Sequence, residues 1–366
     1  MTTSRYLANL DAEIQSAKGG LSADCFTAER ACYLARQGNF AEARSILVRL
    51  HEQYDRNPNA IMSAWLSLAE GLMAYFASLS QSARDKLLRS RALSAAANLK
   101  PMQALSAAWL AQIDFARLDI GSVNKYCIEA LSLAAKDHHS ARARASLVLA
   151  HALHVAARFD LAKPWYRIAQ IHATEQGDDA TISALMHNMT CMRLDNFRQF
   201  KLSGAGAEEG VGIIITGVVS TGNFDQMVGA SSMAEITSLL YARLLSLQGR
   251  PVEALGVYEE NLDSFMVPSY MRLRSEIYSD MAWCHAQIGN AATANEMAIS
   301  ALKNIVAETQ VDDLAATHSR LSEAFRLLRI DAKADHHDLL AKGAWQEYSI
   351  LQEKIVSMLG AIAINH

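Results

Sequence analysis

The chain is predicted to be all-α, a solenoid of helix pairs running its whole length, and three observations predict this. Hydrophobic residues fill 51% of the 366 positions and charged ones only 20%, with Ala, Leu and Ser dominant and β-branched residues sparse outside a stretch near residue 211. Ala and Leu lose little on entering a helix, whereas Val and Ile lose side-chain freedom. Only 5 prolines and 18 glycines occur, and no Pro/Gly/Ser-rich tract divides the chain. A length that would ordinarily hold two or three domains is therefore read as one continuous architecture. Finally, small residues recur in phase. They fall at Ala31, Gly71, Ala111 and Ala150, then at Ala242, Ala282 and Ser322, with separations of 40, 40, 39, 92, 40 and 40 residues. A second set follows twelve residues after each: Ala43, Ala83, Val123, Ala162, Ala254, Ala294 and Ala334.

Taken in order, residues 1–20 read as a leading helix, Arg5–Ala17, closed by Lys18-Gly19-Gly20, because glycine tolerates the left-handed conformation that ends a helix. Repeats one to four occupy 24–182. The first shows the pattern most clearly, with Ala31, the turn Gly38-Asn39-Phe40 and then Ala43. Turn signals recur at Asp119-Ile120 and Arg158-Phe159, and later at Gly249-Arg250-Pro251 and Gly289-Asn290-Ala291. Pro251 sits where a second helix begins, a position whose N–H would be unpaired anyway, and Pro58, Pro101 and Pro268 fall between repeats. The gap of 92 leaves room for an irregular fifth repeat over 183–234 with about 12 extra residues. Its first helix is expected over Ile182–Phe200 with Thr190 at the small position, its second over Glu208–Ser220, and a turn at Gly222-Asn223-Phe224. Repeats six to eight fill 235–344. A trailing helix, Trp345–Ile364, carries apolar residues at Tyr348, Leu351, Ile355, Leu359 and Ile362. Terminal helices are expected because a stack of repeats must close its open ends.

The small residue, Gly-Asn-aromatic turn and second small residue resemble the tetratricopeptide repeat. The resemblance covers most of the chain, although the repeat here is 40 residues long where the common one has 34. Longer repeats of this kind are similar to those of kinesin light chains and of the sensor arms of bacterial maltose-regulator-type activators. The resemblance implies a right-handed superhelix of antiparallel helix pairs whose concave face is lined by the first helix of each repeat. Carried onto this sequence, it places Trp65, Tyr75 and Phe76 on that face, then Gln112 and Phe115, then Arg144, His151 and His154. Further along it places His187 and Asp195, Arg243, Trp283 and Gln287, and Glu323 and Arg326. An aromatic stretch leading into a polar one suits an extended peptide or a helix, with apolar anchors for affinity and polar groups for register. Packing between neighbouring repeats is the alternative for the aromatics; Arg144 and Arg243, by contrast, are expected to stay out of the core.

Other chemistry is not signalled. His151 and His154 share a helix face, as do His187, Cys191 and Asp195, but no HExxH or CxxC pattern accompanies them, so neither metal nor cofactor is expected. The five separated cysteines fit a reducing compartment, and a cytoplasmic location follows, with no secretion signal or apolar run of roughly 18 residues. The segment Gly204-Ala205-Gly206 to Gly212 lacks both a preceding strand and a Gly-Lys-Ser/Thr, so it is not a phosphate loop. It is a hinge or contact loop, or a decayed repeat. The net charge is −4; neither nucleic acid nor membrane is an expected partner. Arg84, Lys86, Arg89 and Arg91, the pairs His138-His139 and His336-His337, and Asp178-Asp179 and Asp312-Asp313 read as solvated surface groups. The expectation is a non-enzymatic scaffold that holds a protein or peptide, with a ligand-sensing regulator as the alternative. Self-association through the trailing helix is also expected.

Overall fold

A computed structural model describes residues 4–78, 80, 82–205, 210–228, 234–266 and 268–362. The chain is 85% helical, with no strand among the described residues. Its helices in order are α1 (Arg5–Ser16), α2 (Gly20–Arg36), α3 (Phe40–Tyr54), α4 (Ala60–Ser78), α5 (Ser82–Ala96), α6 (Lys100–Ala116), α7 (Ile120–Leu133), α8 (His139–Val155) and α9 (Phe159–Gln176). There follow α10 (Asp179–Ser203), α11 (Val211–Val228), α12 (Ala234–Leu247), α13 (Pro251–Phe265), α14 (Arg274–Gln287), α15 (Ala291–Lys303), α16 (Val311–Leu327) and α17 (Asp331–Leu359). Two compact modules form: the first comprises Met1–Met186, Gln226–Ser232 and Lys354–His366, the second His187–Asp225 and Met233–Glu353.

Within each module the packing follows one pattern. Sequence-adjacent helices pair (α2 with α3, α4 with α5, α6 with α7, α8 with α9, α12 with α13, α14 with α15), and the first member also packs on the first member of the next pair. The small residues make this close approach possible. Ala31, Ala111, Ala150, Ala242 and Ala282 are completely buried, as are Ala43, Val123, Ala162, Ala254, Ala294 and Ala334. A Cβ at Gly71 would stand 3.0 Å from the Leu87 side chain and 3.2 Å from the Ala83 carbonyl oxygen. The Ser322 hydroxyl donates to the Ala334 carbonyl oxygen at 2.9 Å, joining first and second small positions of one repeat.

The turns repeat as faithfully. Seven residues after the first small position the backbone is left-handed in six repeats, at Gly38, Leu118, Ala157, Gly249, Gly289 and Arg329. The following N–H then bonds a carbonyl five residues back, as in Asn39 to Leu34, Asp119 to Asp114, Arg250 to Leu245 and Ile330 to Phe325, at 2.9–3.0 Å. This bond satisfies carbonyls that a helix end leaves open.

Several expectations need correction. The turn expected at Gly222-Asn223-Phe224 is helical, because α11 runs unbroken through it. The small position Thr190 has its counterpart at Gly217, where a Cβ would meet Thr190 Oγ1 at 2.8 Å; the expected start of that helix at Glu208 lies outside the described residues. The eighth repeat's second helix and the trailing helix are one 29-residue helix, α17, since no Gly-Pro break separates them. Of its apolar stripe Tyr348, Ile355 and Leu359 are buried, and Leu351 and Ile362 are half-buried. One helix segment, Ala60–Ala77, is long and apolar enough to cross a membrane by composition; here it packs against α2 and α5.

Candidate functional site

In the second module, four of the residues expected on first-helix faces meet at one groove. Trp283 and Gln287 of α14 and Glu323 and Arg326 of α16 line a cavity of about 450 Å³, which Lys201 and Leu202 of α10 and Leu247 of α12 also reach. Lys201, Gln287, Glu323 and Arg326 are exposed, while Trp283 forms the buried floor at 7% exposure. Arg320 lies over the Trp283 ring, 4.3 Å from its centroid. Its Nε donates to Asp280 at 2.9 Å, Nη1 to Glu323 at 2.9 Å and Nη2 to the Ser246 hydroxyl at 2.9 Å. This guanidinium is thus saturated, and the adjoining carboxylates hold it charged despite its burial.

Behind the groove lies a buried charge network, also within the second module. Arg198 of α10 donates from Nη1 to Glu276 at 2.5 Å and Asp313 at 3.0 Å, and from Nη2 to Asp312 at 2.7 Å. Arg243 of α12 bonds the second oxygen of Glu276 and lies 4.0 Å from Asp195. Four carboxyls thus face two guanidiniums. Glu276 gives one oxygen to each arginine, yet its burial raises it to about 8, so it shares the surplus proton with its neighbours. Burial and the neighbouring Asp313 push Asp312 up to about 7, and burial raises Asp195 as well. The buried His187 pairs with Asp225 at 2.6 Å.

In the first module, Arg36 of α2 makes a two-pronged bond to Asp178 at 2.9 and 3.0 Å and a further bond to Thr181 Oγ1 at 2.7 Å. Arg144 of α8 lies beside it, 4.1 Å above the Trp109 ring centroid. Arg36 lies 5.7 Å from the same centroid. Asp178 is held below the usual carboxylate range by Arg36 and Thr181 despite its burial. The Arg144 guanidinium is pushed down to about 9, first by burial and then by repulsion from Arg36.

The remaining expected residues divide by burial. Phe76 is exposed and meets Trp109 edge-on at 5.8 Å; Trp65, Tyr75, Gln112 and His151 are half-buried. Phe115 is buried and packs on the His151 ring at 4.9 Å. His154, His187, Arg144 and Arg243 are interior residues, at 0%, 1%, 8% and 6% exposure, which corrects their placement on an open face. Asp195 is half-buried within the charge network. Other groups read as solvated are also paired or buried. Arg84 bonds Asp114 at 2.6 Å, Arg91 bonds Glu129 at 2.8 Å, and His337 stacks on His318 and Phe325. Asp178 and Asp313 are core ion-pair members.

Sequence reasoning missed Arg36, Trp109, Arg198 and Arg320. A signal was available: an Arg on a small-residue-rich first helix has no nearby solvent to reach, so its charge must be met by another first helix. No group of three or more His, Cys, Asp or Glu side chains among the described residues is placed to hold a metal ion. No known family model matches the chain, and no curated protein matches it significantly in sequence.

Proposed function

We propose that the protein is a tetratricopeptide-like helical solenoid that binds a peptide or partner protein non-covalently, with the groove between α12, α14 and α16 as its principal seat. The observation that carries this reading is the convergence of Trp283, Gln287, Glu323 and Arg326, drawn from two successive repeats, on one cavity. Leu202, Leu247 and Leu327 offer the apolar wall that anchors a side chain. Lys201 and Arg326 stand at the exposed rim, Arg326 in a surface pair with Asp335 at 3.2 Å; rim cations favour acidic residues beside that anchor and set the encounter rate more than the final affinity. Because Arg320 is already neutralised by Asp280 and Glu323, it serves as a rigid lid on Trp283 rather than as a ligand. The occupant that fits is a short segment with one large apolar side chain flanked by Asp or Glu.

Selection from a random peptide display library tests this. The wild-type protein should enrich acidic–apolar sequences, and the double charge reversal Lys201→Glu, Arg326→Glu should lose that enrichment while keeping its helical signal and melting temperature. Enrichment of no sequence class, or of the same class by the reversed protein, would overturn the groove assignment.

A further inference from the structure

We infer that the first module carries a binding site for a small organic monocarboxylate, centred on the Arg144 guanidinium above Trp109. This inference concerns a different module from the peptide groove and does not rest on that reading.

Three features converge. Arg144 has a poorer set of partners than any other buried arginine described above. A guanidinium presents five N–H donors, yet its one hydrogen bond among the described residues runs from Nη2 to Thr181 Oγ1 at a long 3.4 Å. Its Nε is buried without a partner, as are those of Arg198 and Arg243, but unlike them it has no carboxylate within ion-pair distance among the described residues, whereas Arg36 beside it grips Asp178 with two bonds. Thr181 offers no charge compensation, because its hydroxyl is neutral and its second lone pair meets Arg144 only at the long distance already given, after donating to Asp178 at 2.8 Å and accepting from Arg36 at 2.7 Å. A buried cation left in this condition is unfavourable, and such sites are candidates for function when a ligand can complete them.

The local charge then selects the ligand. Arg36 and Arg144 contribute two positive charges, and Asp178 returns one negative charge to Arg36. The Tyr33 phenol, raised by burial, adds no charge at pH 7. Glu29, raised by burial, acts on Asp178 rather than on Arg144. One monoanion would pair the charge on Arg144 itself, and a carboxylate matches the two-pronged donor geometry of a guanidinium. A doubly charged phosphate would overshoot and place its excess charge near Asp178.

The aromatic surroundings favour an organic body on that carboxylate. Trp109 forms the floor under the guanidinium, and Phe76, 37% exposed, continues from its edge toward solvent, with Tyr75 packed on Phe76 at 5.0 Å. An aryl or alkyl group attached to the bound carboxylate would lie against this row.

The experiment uses the full chain and compares sodium acetate, sodium phenylacetate, sodium phosphate and sodium chloride at equal ionic strength. Thermal melting reports stabilisation, and ligand-detected NMR reports binding directly. The wild-type protein should be stabilised by both carboxylates relative to chloride, with phenylacetate binding more tightly than acetate. Arg144→Met should melt no lower than wild type in chloride and show no carboxylate-specific shift. Arg144→Lys, which keeps the charge but loses the fork, should weaken phenylacetate by about tenfold or more; it carries the test if the Met variant fails to fold. Arg250→Gln, an exposed arginine of the second module that pairs only with Glu253 among the described residues, should respond as wild type does. No carboxylate effect on the wild type, an undiminished effect in the Arg144 variants, or a stronger response to phosphate than to carboxylate would overturn the inference.

Discussion

The two modules use the same device, an arginine laid on a tryptophan, and surround it differently. Arg320 on Trp283 is held by Asp280, Glu323 and Ser246; Arg144 on Trp109 has one long bond to Thr181. Nearby charge differs in the same sense. The second module gathers Asp195, Glu276, Asp312 and Asp313 around Arg198 and Arg243, an excess of acid. The first sets Arg36 and Arg144 against Asp178, an excess of base. The lesson is that burial alone does not say what an arginine does. A guanidinium paired to carboxylates ties helices together, while one without a paired carboxylate has binding capacity left over.

The largest effect should come from breaking the ion-paired side. Arg198→Met leaves Glu276, Asp312 and Asp313 without their shared partner, and uncompensated buried charge costs about 3–5 kcal/mol. Urea denaturation should show a loss of that order, with Arg320→Met also strongly destabilising through Asp280. The matching change in the first module, Arg144→Met, is expected to be neutral or stabilising. Equal losses at Arg198 and Arg144 would erase the distinction between the modules.

Next in size is the response to pH. In the second module Asp312 has a folded pKa of about 7, above its unfolded value of 3.8. The native state therefore binds more protons than the unfolded one between those values, and stability from this group declines as pH rises through about 7. His318, lowered to about 4 by burial and by His337, acts in the opposite sense: its contribution is lost as pH falls from 6.5 toward 4. Above pH 6.5 the carboxyl dominates, so the melting temperature should fall between pH 6.5 and 8. Asp312→Asn should lessen that slope, with Glu276, also raised by burial, supplying what remains, and stabilise the protein at pH 8 by on the order of 1 kcal/mol. Asp178, whose pKa is lowered in the fold, works the other way and contributes stability that is lost only in acid. A melting temperature independent of pH from 6.5 to 8, in wild type and variant alike, would show that the acidic excess is not buried as described.

How much of this was legible beforehand follows from what each feature depends on. The helix pairing was legible because it needs one small side chain at each close approach, and Ala31, Ala111 and Ala282 declare that directly. The groove was legible in part, since Trp283, Gln287, Glu323 and Arg326 sit at repeat positions that need only the period to find them. The ion pairs were not. Arg36 and Asp178 are 142 residues apart in sequence and Arg198 and Asp313 are 115 apart, so no local pattern links them. A small-residue-rich first helix signals that such an arginine needs a partner, but not which one. The fifth repeat was misplaced because its contact runs from Thr190 to Gly217, off the twelve-residue spacing that located the others.

The smallest effects concern the turns and test whether the repeats are equivalent. Gly38, Gly249 and Gly289 hold the left-handed position in three repeats, while Leu118, Ala157 and Arg329 hold it in three others at φ of 56–59°. An L side chain pays roughly 1 kcal/mol there, and a Cβ at Gly289 would meet nothing within 4 Å, so conformation alone should set the cost of Gly289→Ala. A loss of about 1 kcal/mol is expected in chemical denaturation. The reverse change, Ala157→Gly, relieves the same strain but gives the unfolded chain more freedom, so its gain should be smaller, about 0.5 kcal/mol. Because the hydrogen bond that closes the turn is the same length in both repeats, 2.9 Å from Asn290 to His285 and from Arg158 to Leu153, neither substitution changes the bond itself. Opposite signs for the two substitutions would identify one turn geometry filled by two residue types; a loss in both would mean that Ala157 contributes packing that its backbone conformation does not reveal.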